Sequence, residues 1–81
     1  MRLQIKDIRK GDLFAEFDDG MYAEFEAVAD ASRVGSRKGS AGGWEAEGKC
    51  IGSNCDFIVG APCRFFVADE APGYGPYLER I

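Results

Sequence analysis

Glu24 and Glu26 flank Phe25, and Glu45 and Glu47 flank Ala46. On a strand, side chains two residues apart share a face at roughly 6–7 Å, a separation that suits a two-carboxylate hydrolase. The same spacing arises on any solvated strand face. The chain contains no histidine, which removes the commonest general base near neutral pH and the Ser–His and Cys–His nucleophile pairs. The reading is of a non-enzymatic protein.

Three cysteines raise the question of metal or redox chemistry. Zinc takes four ligands, commonly from close cysteine pairs. Cys50 and Cys55 have a suitable spacing, but only Cys63 remains to join them, and Asp56 would complete only an uncommon site. No metal or other cofactor is expected. Three ordinary thiols are the main reading and a Cys50–Cys55 disulfide the alternative; an odd count fits a secreted disulfide framework poorly.

Charge is more informative. The formal net charge is −4, which weighs against general nucleic-acid binding by phosphate neutralisation. Between Gly11 and Ser32 lie Asp12, Glu16, Asp18, Asp19, Glu24, Glu26 and Asp30, with no lysine or arginine among them. Such a stretch is either a solvated face that keeps a small domain soluble or an acidic surface aimed at a basic partner. The basic counterpart is the segment Gly35-Ser36-Arg37-Lys38-Gly39-Ser40, which has the backbone donors and cations of a phosphate nest. A phosphate-binding loop would need Gly-Lys-Ser/Thr ahead of a helix; here the order is Lys38-Gly39-Ser40 and no helical pattern follows. The segment reads as a linker. Arg33, Arg37 and Lys38 are the touching groups if nucleic acid is bound.

The elements that carry these residues are short and strand-like. Residues 1–12 end in a turn at Lys10-Gly11-Asp12. Leu13–Phe17 predicts a first strand, Asp18-Asp19-Gly20 a primed hairpin turn, and Met21–Ala29 a second strand. On that strand Ala23, Phe25 and Ala27 point inward and alternate with Tyr22, Glu24 and Glu26. Residues 30–43 read as a flexible Gly/Ser/basic loop. Trp44–Glu47 predicts a third strand, with Trp44 and Ala46 inward, Gly48–Asn54 a turn region, Cys55–Val59 a fourth strand and Arg64–Ala68 a fifth. The tail Pro72-Gly73-Tyr74-Gly75-Pro76-Tyr77-Leu78 is not helical and leads to a short strand at Leu78–Ile81. Its tyrosines, Tyr74 and Tyr77, either plug the end of a barrel or stand out as interface anchors.

Residues 1–81 therefore form one mainly-β domain, a small five-stranded antiparallel twisted sheet or partly open barrel of the SH3-like or OB-like kind. The aromatics, from Phe14 to Tyr77, supply its core. No apolar run approaches the roughly 20 residues that cross a bilayer, and the start Met1-Arg2-Leu3-Gln4-Ile5 lacks the apolar region of a secretory signal. The expected location is the cytoplasm.

The Gly11-Asp12 start with Phe14 and Glu16, the strand Met21–Glu26, Gly43-Trp44 and the end Tyr74-Gly75-Pro76-Tyr77-Leu78 together resemble a group of small bacteriophage and prophage proteins. The stretch Cys50–Cys63 is longer than in that pattern. The resemblance implies a phage setting, with the host cytoplasm as location, and brings no catalytic residue. The functional expectation is a protein-interaction protein that binds or inhibits a host protein through an acidic hairpin face, with Glu16, Asp18, Asp19, Glu24, Glu26, Tyr74 and Tyr77 at the contact. The alternatives are a nucleic-acid-binding barrel, and a structural subunit of a virion or homo-oligomer, since an open sheet edge invites a second copy.

Overall fold

The computed structural model describes residues 2–35 and 42–81. Seven strands occur among them: β1 (Arg2–Leu3), β2 (Leu13–Asp18), β3 (Met21–Ala27), β4 (Ser32–Val34), β5 (Gly43–Ser53), β6 (Pro62–Ala68) and β7 (Leu78–Arg80). Two single 3₁₀ turns, Ile5–Asp7 and Pro72–Tyr74, punctuate the chain. The strands join in the order β1-β7-β2-β3-β5, every pair antiparallel. β5 is the hub. β3 takes its residues 48–53 and β4 its residues 43–45 along one edge, while β6 takes residues 43–49 along the other. The sheet curls into an antiparallel half-barrel, the mainly-β architecture expected.

The first hairpin forms as its sequence dictates. Asp19 and Gly20 adopt φ of 45° and 84°, the left-handed pair that a two-residue primed turn requires. The turn pairs Phe14 with Phe25 and Phe17 with Tyr22 across β2 and β3. Gly11 also has positive φ. There the Asp12 carboxylate accepts the Arg9 N–H at 2.8 Å and meets Arg80 at 2.9 Å, closing the turn ahead of β2.

The core is built around three rings. Phe14, Phe25 and Phe65 lie with centroids 4.9–5.7 Å apart, in the offset and edge-to-face arrangements that aromatic quadrupoles favour. Ile5, Ile8, Leu78 and Cys50 close around them. Ile5 reaches the core because the Ile5–Asp7 turn folds the N-terminal segment over β5 and β6. The aromatics do not all enter the interior: Phe17, Phe66, Tyr74 and Tyr77 are exposed.

Three segments depart from the sequence-based expectation. Of the expected turn region Gly48–Asn54, all but Asn54 is the second half of β5. Gly48 is there for space: an added Cβ would lie 3.0 Å from the Phe25 Cβ and 3.1 Å from the Phe14 ring, so a glycine lets two core rings lie against the strand. Cys55–Val59 is a loop rather than a strand. The Ser53 hydroxyl accepts the Cys55 N–H at 3.0 Å and turns the chain off the ladder, a competition that serine side chains wage against regular structure. From that loop Phe57 packs edge-on against Phe25 at 5.5 Å, while Ile58 and Val59 face solvent. Finally, the expected loop 30–43 contains β4, so Arg33 sits on a strand. Residues 36–41, including Arg37 and Lys38, lie outside the described residues.

Candidate functional site

Register decides which acidic residues share a surface. Glu16 stands opposite Ala23 and Leu78, both buried, and Asp18 stands opposite Met21. These two acids therefore project from the concave, core-facing side of the sheet, at its open end. Glu24 stands opposite Ala15 and Gly52, and Glu26 opposite Leu13 and Lys49. They project from the convex side, because neighbours along a strand alternate faces. Asp19 occupies the turn between. The acidic stretch of the sequence is thus split between two surfaces.

The convex side carries a cluster that the sequence reading left unassembled. Phe17 packs against Tyr22 with ring centres 5.1 Å apart and against Tyr77 at 6.2 Å. Beneath them Ala15 is only 2% exposed yet is not part of the main core. Small Ala15 lets the three rings settle on the sheet, where Phe17 keeps 40% and Tyr77 44% of its surface exposed. Each tyrosine is tied to a carboxylate. The Tyr22 hydroxyl donates to Glu24 at 2.5 Å, and hydrogen bonding to Glu24 pushes the Tyr22 phenol up from its ordinary value. The Tyr77 phenol is pushed up in the same way, first by its hydrogen bond to Glu79. Arg2 lies over the Tyr77 ring, its guanidinium carbon 5.6 Å from the centroid, and donates to the carbonyls of Gly75 and Pro76 at 3.4 Å.

Aromatic faces bordered by carboxylates attract cations through both ring quadrupole and charge. Arg2 shows within one molecule that the cluster holds a guanidinium. The signal for it was in the sequence: a two-residue turn at Asp19-Gly20 places Phe17 opposite Tyr22, and the register of β7 brings Tyr77 alongside.

The concave end is different in kind. Glu16, Asp18, Met21, Tyr22, Ala23 and Phe57 line a hollow of about 50 Å³. Burial, and then the charge of Asp18, push the Glu16 carboxyl above its ordinary range. Cys63 is near enough to feel Cys50 and Glu16, and its thiol is pushed up chiefly by burial. All three cysteines are free; Cys50 is buried among the core residues, and the Cys55 sulfur lies 3.1 Å from the Ser53 hydroxyl. Among the described residues no group of three or more histidine, cysteine or acidic side chains is arranged to hold a metal ion, and no helix is long and apolar enough to cross a membrane.

The remaining singled-out residues are placed separately. Arg33 forms a two-pronged pair with Asp69, at 2.7 and 2.6 Å, and its guanidinium also lies 5.3 Å from the centre of the Trp44 ring. Its charge is thereby engaged within the chain. Tyr74 is 93% exposed on the Pro72–Tyr74 turn, so it does not plug the barrel. No family model, curated protein or solved structure matches the chain.

Proposed function

We propose that this protein is a non-enzymatic binding module that docks a basic segment of a protein partner on its convex face, through Phe17, Tyr22, Tyr77, Glu24 and Glu26. The observation that carries this reading is Arg2 lying over Tyr77 within a half-exposed aromatic cluster. Tyrosine and phenylalanine held on a strand give a partner large contact area at little cost in entropy. Glu24 and Glu26 on the same face supply the long-range attraction that raises the association rate. The resemblance to small phage proteins would make that partner a protein of the host. Binding to nucleic acid draws less support, because Arg33 is already committed to Asp69 and Trp44.

Two charge-reversed variants test the reading in a pulldown from host lysate. Glu24→Lys with Glu26→Lys alters the convex face alone, and Glu16→Lys with Asp18→Lys the concave end alone. Loss of the recovered partner with the first pair and retention with the second is expected. Equal recovery from both would remove the convex face from consideration.

A further inference from the structure

The half-barrel is open along one seam, and that seam has the makings of a second site. β6 pairs with β5 alone and β1 with β7 alone. Between them lies a groove of about 320 Å³, with Leu3, Ile5, Trp44 and Val67 as its apolar wall and Arg2 and Lys6 as its cations. Asp69 also borders it, but its charge is met by both prongs of Arg33. The groove is therefore basic on a chain whose net charge is −4.

The backbone of β6 supplies the recognition chemistry. The Asp69 N–H donates to the Gly42 carbonyl at 3.0 Å, which makes Gly42–Asp69 a bonded pair. In an antiparallel ladder bonded and non-bonded pairs alternate, so Trp44–Val67, Ala46–Phe65 and Gly48–Cys63 are the bonded pairs of this register. Arg64 and Phe66 then direct their N–H and C=O groups away from β5, as Ala68 does. The Ala68 carbonyl accepts the Ala71 N–H at 3.2 Å. Among the described residues nothing bonds the outward groups of Arg64 and Phe66. Pro62, with no N–H to offer, ends the usable edge, as proline does on edge strands.

We infer that the β1–β6 seam docks an extended peptide segment in which acidic residues alternate with apolar ones, added as a strand to the free edge of β6. Main-chain bonds to Arg64 and Phe66 would hold it, as in other cases of strand addition. Its inward side chains would lie beside Val67, against the apolar wall of the groove, which demands apolar residues. Arg64 is already met by Glu47 at 3.6 Å, but at the Val67–Ala68 end the outward side chains would come to the rim of the groove that Arg2 and Lys6 border, which favours carboxylates. This site shares Arg2 with the convex cluster but none of its aromatic rings, and Arg64, Phe66 and Lys6 belong to it alone.

Trp44 is the single tryptophan of the chain and lines the groove, so its fluorescence reports occupancy. The probes are two capped hexapeptides, one alternating valine with glutamate and one alternating valine with lysine. The glutamate peptide is expected to change Trp44 emission saturably and to shift the amide resonances of Arg64, Phe66 and Ala68. The lysine peptide is expected to do neither. Lys6→Glu should weaken the glutamate peptide roughly two- to fivefold, the size of one partly screened charge pair. Arg64→Pro should weaken it further, since that substitution removes an outward N–H and no bond to β5. Should this variant misfold, the resonance map of the unaltered protein still decides the matter. Equal response to both peptides, shifts confined to Phe17 and Tyr77, response only to single-stranded DNA, or a free protein already dimeric through β6 by light scattering would each overturn the assignment.

Discussion

Phe17 and Tyr22 oppose one another across the β2–β3 ladder with ring centres 5.1 Å apart, outside the core that Phe14, three residues before Phe17, and Phe25, three residues after Tyr22, form. Two phenylalanines three residues apart on one strand, and so on opposite faces of it, thus serve different ends. Phe14 is fully buried and holds the half-barrel together, whereas Phe17 presents a ring to solvent.

That division predicts unequal costs. Phe14→Ala should destabilise by about 3–5 kcal/mol, the range for deleting a buried ring and leaving a cavity. Phe17→Ala should cost about 1 kcal/mol, the scale of a cross-strand aromatic pair on a solvated face. Urea midpoints at a common slope measure both. A Phe17 variant as unstable as the Phe14 variant would make the convex cluster structural.

Gly48 makes a second prediction. An alanine there would press its Cβ against Phe25 and Phe14 at 3.0 and 3.1 Å, neither of which can yield in a packed core. Gly48→Ala is expected to destabilise by about 1–3 kcal/mol. Gly52→Ala, whose added Cβ would meet only the flexible Glu24 carboxylate at 3.4 Å, should be near neutral. Thermal melts of the two variants separate these outcomes.

Gly48 also shows where sequence reading stops. A glycine followed by Lys49 and later by Gly52-Ser53-Asn54 has the composition of a turn, and composition cannot say that two distant rings lie on it. The hairpin at Asp19-Gly20 was legible because its cause is local: two left-handed residues fix the turn and the turn fixes the register. The alternation of β3 was legible for the same reason. Cys55–Val59 misled because its β-rich residues lost their ladder to a serine hydroxyl. The acidic residues misled more instructively. Counting them along the chain gave one face, while the two-residue period across a hairpin gives two, separating Glu16 from Glu24. The β1–β6 seam, made by segments some sixty residues apart, left no mark on the sequence.

Thiol accessibility offers a third check. Cys50 is buried, whereas Cys55 and Cys63 are partly exposed, and burial pushes the Cys63 thiol up, which lowers its thiolate fraction and slows alkylation. Mass spectrometry after brief iodoacetamide treatment should find Cys50 the last to be modified. Early labelling of Cys50 would mean that β5 opens readily at its centre.

The final prediction concerns pH and rests on two carboxyls displaced in opposite directions. Glu16 titrates above its ordinary value of 4.5, through burial first and the nearby Asp18 second. The folded protein therefore holds this proton more tightly than the unfolded chain does. The stability so contributed is complete below that ordinary value and is lost as pH rises through the raised one. Asp12 titrates below its ordinary value of 3.8, because the Arg9 N–H and then Arg80 bond its charged form. Its contribution is present above 3.8 and is lost as pH falls through the lowered value. Glu16→Gln should thus be more stable than the unaltered protein at neutral pH and converge with it in acid. Asp12→Asn should be less stable at neutral pH and show a shallower acid decline. Urea midpoints measured across this range for the three proteins give the comparison. If Glu16→Gln tracks the unaltered protein at every pH, the Glu16 carboxylate is fully hydrated, and the concave end of the half-barrel exerts no pull on its charge.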